Sequence, residues 1–403
     1  MIAAANVVTD LYLSAAALLG LLIVHWHFAP AAPLSPLTRR FLFVLRIGMM
    51  LFAGRMLVVL TGGMWFRFVV LFAAALIPLA TLLLTESLLR RHAPRWAKGF
   101  VAIGALVFGL AAFWIGHALE PVRLFGLLGF QIGGFAISGW LIASRDRNSL
   151  SLGENRTAHR FGLALLVLVP LGASDFLLVA LRLPVQISAL GVLMLCWFAL
   201  GLSRVHDGHR QSVYPVLTVV FAGLVSSGVI ALISEFDPQG VILVMAIILA
   251  TLLVLALAFV VRDTARRVSG LVPLSATSGT DVLAFLQGFA AHPLISTATV
   301  ITSDDLNGLD DAVLDRIFAA SPVLRTDARP ALGVAAEDHM THMFGRFEAT
   351  HLLDLNTQPR QLLSVSVPAF LRSQSAEEEL VALQRMAAVI ARAGQNDADQ
   401  RAV

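Results

Sequence analysis

The sequence predicts a polytopic α-helical membrane protein, about nine spans with the N-terminus outside and the C-terminus inside, followed by a small C-terminal cytoplasmic α/β domain. Three observations predict it. Of 403 residues, 58% are hydrophobic and 14% charged, and the mean hydropathy of +0.81 lies outside the range of soluble domains. The apolar residues gather in runs of about 20, the length that crosses a bilayer as a helix. The charge divides with them: residues 1–267 hold 20 basic and 10 acidic side chains, residues 268–403 hold 9 and 16.

The spans fall at roughly 8–28, 41–62, 65–88, 99–118, 123–143, 161–182, 185–203, 214–234 and 239–261. Loops on one side are short and carry few charges, such as TGGM and LEPV. Loops on the other side carry the arginines, among them Arg39, Arg40, Arg90, Arg91, Arg145 and Arg204. That asymmetry puts the basic loops and the C-terminus in the cytoplasm of a bacterial cell, with the chain in the inner membrane. Five tryptophans (Trp26, Trp65, Trp96, Trp140, Trp197) sit near span ends, where amphipathic rings settle at the headgroups. The first run is long enough to span and lacks a basic leader, so it reads as a retained helix. The pI near 9.7 reflects these loops and gives no reason to expect nucleic acid. Cys196 is the single cysteine, which excludes a disulfide framework or a thiolate cluster.

After Arg267 the pattern changes. Residues 268–280 are a Ser/Thr/Gly/Pro linker. Residues 281–394 predict the α/β domain: a helix over 281–291, a strand within 294–303, helices at DDAVLDRIFAAS and EDHMTHMFGRFEA separated by a loop at RTDARPALG, and strands at 350–355 and 361–367 around Gln358-Pro359. A last helix starts at Ser375, whose capping box with Glu378 favours that boundary, and buries Leu380, Leu383, Ala387 and Ile390. Residues 395–403 are a disordered polar tail.

Ionisable side chains inside spans are costly and are functional candidates by default. Arg46 lies within snorkelling reach of the inner surface, with Glu86 at similar depth to pair with it. Arg55 is too deep to escape inward. Asp175, at matching depth in the sixth span, is its expected partner, with Gln131 nearby as a third polar group. The three form either a structural clamp, a ligand or signal pocket, or part of an ion pathway. His117, Glu120 and Arg123 read as a polar outer mouth, as a metal site or as solvated loop residues. Gly129 and Gly133 make a GxxxG pair, for packing within the bundle or for a homodimer. His339 and His342 share a helix face and are the weak candidates for a metal, with Asp338 or His351 as further ligands. No dinucleotide, P-loop, cyclase or nucleophile-elbow motif occurs, so no enzyme class and no cofactor is expected.

Two stretches, TESLLRRHAPRWAK and ENRTAHRFGLALLVLVPLGASDFLLV, resemble the multi-span N-terminal sensor regions of bacterial membrane histidine kinases. The stretch LLSVSVPAFLRSQSAEEELVALQRMAAVIARAG is similar to the close of a GAF domain, here in degenerate form. No segment resembles the kinase or cyclase output domain of that family. The resemblance implies a non-enzymatic inner-membrane sensor or scaffold that couples a membrane or periplasmic signal to a cytoplasmic protein partner. The alternatives are a transporter or membrane-embedded enzyme acting on a lipid-linked substrate, and a membrane assembly factor or structural subunit.

Overall fold

The computed structural model describes residues 2–31, 35–113, 120–146, 152–181, 188–202, 221–223, 225–226, 238–268, 298–357, 360–367 and 377–390. The chain divides into two compact units. One holds residues 1–203 and 207–264, the other residues 204–206 and 265–403.

The first unit is helical. Its helices are α1 (Ile2–Phe28), α2 (Pro36–Thr61), α3 (Met64–Leu89), α4 (Arg95–Ala111), α5 (Glu120–Ala143), α6 (Leu152–Leu181), α7 (Ser188–Leu202) and α8 (Pro238–Val268). The last four residues of α8 fall in the second unit. Among the described residues, six helices are long and apolar enough to cross a membrane, all of those above except α4 and α7, which run 17 and 15 residues. The predicted eighth span lies mostly outside the described residues. Local chemistry sets the ends of α2: Ser35 accepts the Thr38 amide, Pro36 opens the first turn, and Gly62 closes the last at φ +65. Only Gly63 then separates that cap from α3.

Helix α3 lies at the centre of its neighbours, touching α2, α4 and α5. Small residues allow this: Ala73, Ala74, Ala75 and Ala80 are all buried in its middle. Pro78 sits inside the same stretch. A proline has no amide hydrogen, so the carbonyl four residues earlier, Ala74, loses its helical donor. Gln131 of α5 replaces it, its Nε2 donating to Ala74 O at 2.9 Å. Opposite the ring stands Gly134, where an added Cβ would lie 2.5 Å from Pro78 Cβ. One helix supplies the defect and the other fits and satisfies it.

The second unit contains a four-stranded antiparallel sheet, β1 (Thr299–Ile301), β2 (Val323–Arg325), β3 (His351–Thr357) and β4 (Arg360–Val365), in the order β1-β4-β3-β2. Helices α9 (Asp311–Ala320) and α10 (Val334–Arg346) cover one face, and the helix at 377–390, α11, covers the other. Alternation along the strands makes this possible. Leu352 and Leu362 enter the core under α9 and α10 with Leu314, Ile317, Met340 and Met343. Their neighbours Leu353 and Leu363 enter the opposite core with Leu380, Leu383 and Ala387 of α11. The predicted apolar face of that last helix is the observed one.

The predicted strands at 350–355 and 361–367 differ from β3 and β4 only at their ends. Strand β2 was not anticipated, and it ends at Arg325, where a loop was predicted to begin. At three residues it owes its existence to pairing with β3, Arg325 opposite His351, rather than to its own propensity. The predicted helix at 281–291, Ser375 of the capping box and the Gln358-Pro359 turn lie outside the described residues.

Candidate functional site

The polar groups of the bundle gather at two depths. Within the apolar part, Arg55 donates from Nη1 to Ser188 Oγ at 3.0 Å, joining α2 to the first residue of α7. Its guanidinium lies 5.3 Å from the centre of the Phe52 ring one turn earlier. Asp175 belongs to α6, but its side chain is outside the described residues. Gln131, expected beside Arg55, instead holds the α3 backbone as above. The described hydrogen bonds of Gln131 and Arg55 go to different helices, α3 and α7.

The second cluster lies where α3 and α5 end and α4 and α6 begin. Glu86, 7% exposed, organises the turn from α3 to α4. Its backbone carbonyl accepts the amides of Arg90 and Arg91. Its carboxylate accepts the Ala93 amide at 2.6 Å and the Lys98 ammonium at 2.8 Å, with His92 Nδ1 at 3.8 Å. Arg90 takes the left-handed conformation at φ 50, which costs a non-glycine residue about 1 kcal/mol, and the bonds to Glu86 offset it. The expected pairing of Glu86 with Arg46 is therefore corrected. Lys98 is the partner, and Arg46 directs Nε to His25 Nε2 at 3.4 Å in the last turn of α1. The α2–α3 hairpin sets Arg40, not Arg46, near that level, with its Nη1 on Leu83 O at 2.8 Å, and α4 folds back over the end of α3 to bring Lys98 to Glu86.

Arg145 closes the cluster from α5. It donates to Ile142 O at 2.7 Å and to the Asn155 side chain at 3.1 Å, joining the end of α5 to the start of α6. Between these groups is a cavity of ≈ 340 Å³ lined by Glu86, Leu89, Arg90, Arg91, His92, Leu141, Arg145 and Asp146. Beside it the rings of Trp96 and Trp140 meet at 5.9 Å; they are 59% and 50% exposed.

The remaining candidates resolve as follows. His117 lies outside the described residues, and so does the side chain of Glu120. Arg123 donates to Ala111 O at 3.4 Å, across from α5 to the end of α4. Gly133 and Gly126 receive the rings of Phe100 and Phe108 from α4, whereas among the described residues nothing lies within 4 Å of a Cβ added at Gly129. The GxxxG spacing is thus divided between a helix contact and an open face.

In the second unit His339 donates from Nδ1 to Ala335 O at 2.8 Å and accepts the Asp310 amide at Nε2 at 3.2 Å. Both ring nitrogens are used in tying α10 to the cap of α9. No group of three metal-capable side chains converges among the described residues, so His339 and His342 are not joined by Asp338 or His351. His351, buried at 1%, bonds Glu377 of α11 at 3.2 Å. Glu377 is also 3.8 Å from Arg325, which grips Asp327 with two bonds of 3.1 Å. Burial would raise the Glu377 carboxyl, but the hydrogen bond from His351 and the cationic partners outweigh it and hold it below the usual range. Two positions on, burial pushes the Glu379 carboxyl up to about 7. Arg360, 6% exposed, reaches Asp315 of α9 and lies over the Phe318 ring.

Sequence reasoning missed Lys98, although it is the chain's one lysine among 28 arginines. A compact ammonium suits a buried single carboxylate where a planar fork would not fit, and that exception to the composition was the available signal. The linkage of His351, Glu377 and Arg325 left no signal, because its members lie on three separate elements.

Comparison with models of known protein families, with curated proteins and with solved structures returned no match. The functional reading therefore rests on the residues themselves.

Proposed function

We propose that the chain is a non-enzymatic sensor or scaffold of the bacterial inner membrane, coupling its helical bundle to a partner-binding cytoplasmic unit. One observation carries the reading. Helix α8 is continuous for 31 residues, its apolar span ends at Arg262, and its last four residues belong to the second unit. At 1.5 Å per residue it is about 45 Å long, against a hydrocarbon core of about 30 Å. More than a turn of unbroken helix therefore leads out of the span, and a displacement at one end of such a helix is carried to the other. The basic ends of the bundle support a cytoplasmic exit, by the positive-inside rule. The sheet unit, in the GAF-like role that its last strand and helix suggest, would receive the partner. Signalling requires that a ligand favour one bundle arrangement over another, and the Arg55–Ser188 link between α2 and α7 is a contact that two arrangements would make differently.

The test is crosslinking capture from native membranes, comparing the full chain with one ended after Val268. The same protein partners should be recovered with the full chain and lost from the shortened one. Solute uptake or turnover of a lipid-linked substrate by the pure protein in proteoliposomes, with no partner captured, would replace this reading with a transporter or enzyme.

A further inference from the structure

The cavity at the basic end of the bundle has a lining with more cationic than acidic side chains. Glu86 and Lys98 account for each other and for the α3–α4 turn. Arg145 accounts for the junction of α5 with α6. Around them the fold presents Arg90, Arg91 and His92 in sequence, and His92 is 88% exposed. With Lys98 behind Glu86, the cavity has four permanent cations against the carboxylates of Glu86 and Asp146. That leaves a net excess of two positive charges. Leu89 and Leu141 complete the lining with apolar surface.

A second, independent observation sets the depth of this cavity. Trp140 immediately precedes Leu141, Trp96 lies two residues before Lys98, and the two exposed rings touch. Paired indoles at the ends of adjacent apolar helices mark the level of lipid headgroups. A cationic cavity with a partly apolar wall at that level, between helices on the basic side, suits the phosphate of an anionic lipid. Backbone position contributes as well. The left-handed Arg90 turns the chain so that Arg91 and His92 follow the end of α3 rather than continuing it.

We propose that this cavity binds a phosphate group, with the headgroup of an anionic phospholipid as its source. The inference stands on the first unit alone and holds whether or not the second unit recruits a partner. Binding would be read by native mass spectrometry of the full chain in neutral detergent with added phosphatidylglycerol or phosphatidylcholine. In parallel, inorganic phosphate and glycerol phosphate would be offered as competitors. One phosphatidylglycerol should be retained in preference to phosphatidylcholine. Arg91→Gln should weaken it about five-fold, Arg91→Lys should restore most of that loss, and Arg39→Gln, an exposed basic residue outside the cavity, should change nothing. Displacement of the lipid by millimolar inorganic phosphate would assign the same phosphate chemistry to a soluble source. Equal retention of the two lipids, or equal losses in the Arg91 and Arg39 variants, would overturn the proposal.

Discussion

At the scale of the residue, the polar groups of this chain are explained by the bonds that tolerate them. Glu86 is buried because a carbonyl, a carboxylate and an ammonium can all be satisfied within one turn. Glu379 of α11 is the contrasting case, a half-buried carboxyl whose environment favours the neutral acid. With a folded-state value of about 7 above an ordinary 4.5, the sign follows directly. The stability it contributes is complete below the ordinary value and is lost as pH rises through the folded one. Glu379→Gln should therefore stabilise the second unit at pH 8 by roughly 1 kcal/mol after solvent screening, and should have little effect at pH 4. Hydrogen exchange of the α11 amides in the intact protein, followed from pH 4 to 8, measures it. Glu377 has the opposite sign, its depressed carboxyl contributing stability that is lost only as pH falls below the ordinary value.

At the scale of the element, the clasp between α3 and α5 shows how a broken helix is accommodated. Pro78 orphans Ala74 O, Gln131 satisfies it and Gly134 leaves room for the ring. Gln131→Leu should destabilise the bundle by about 1 kcal/mol, the scale of a polar contact between membrane helices. In a Pro78→Ala background the amide restored at position 78 can serve Ala74 instead, so the same Gln131→Leu change should cost measurably less. Unfolding of the four proteins in a mixed-detergent titration gives the cycle. Equal costs in both backgrounds would show that Gln131 acts by packing alone. Gln131 was legible as a deep polar group. Its partner was not: Pro78 marks Ala74 O as lacking a helical donor, but nothing near Gln131 shows that α5 packs on that turn of α3.

At the scale of the whole molecule, the alternation of basic and sparsely charged loops predicts the side that each end of α3 faces. In a Cys196→Ser background, Met64→Cys and His92→Cys sit at opposite ends of α3, both at exposed positions. An impermeant thiol reagent should label His92→Cys in inverted membrane vesicles and Met64→Cys in intact spheroplasts. Labelling of both from one side would show that α3 does not cross.

Sequence periodicity by itself determined the apolar helices and the apolar face of α11, because burial in lipid or under a sheet imposes a repeat on every turn or every second residue. Only the tertiary structure decided which groups meet: Lys98 rather than Arg46 at Glu86, the Ala74 carbonyl at Gln131, and β2 beside β3. Those pairings depend on the angle each helix or strand presents to its neighbours, and that angle is fixed by packing across the chain rather than by the pattern along it.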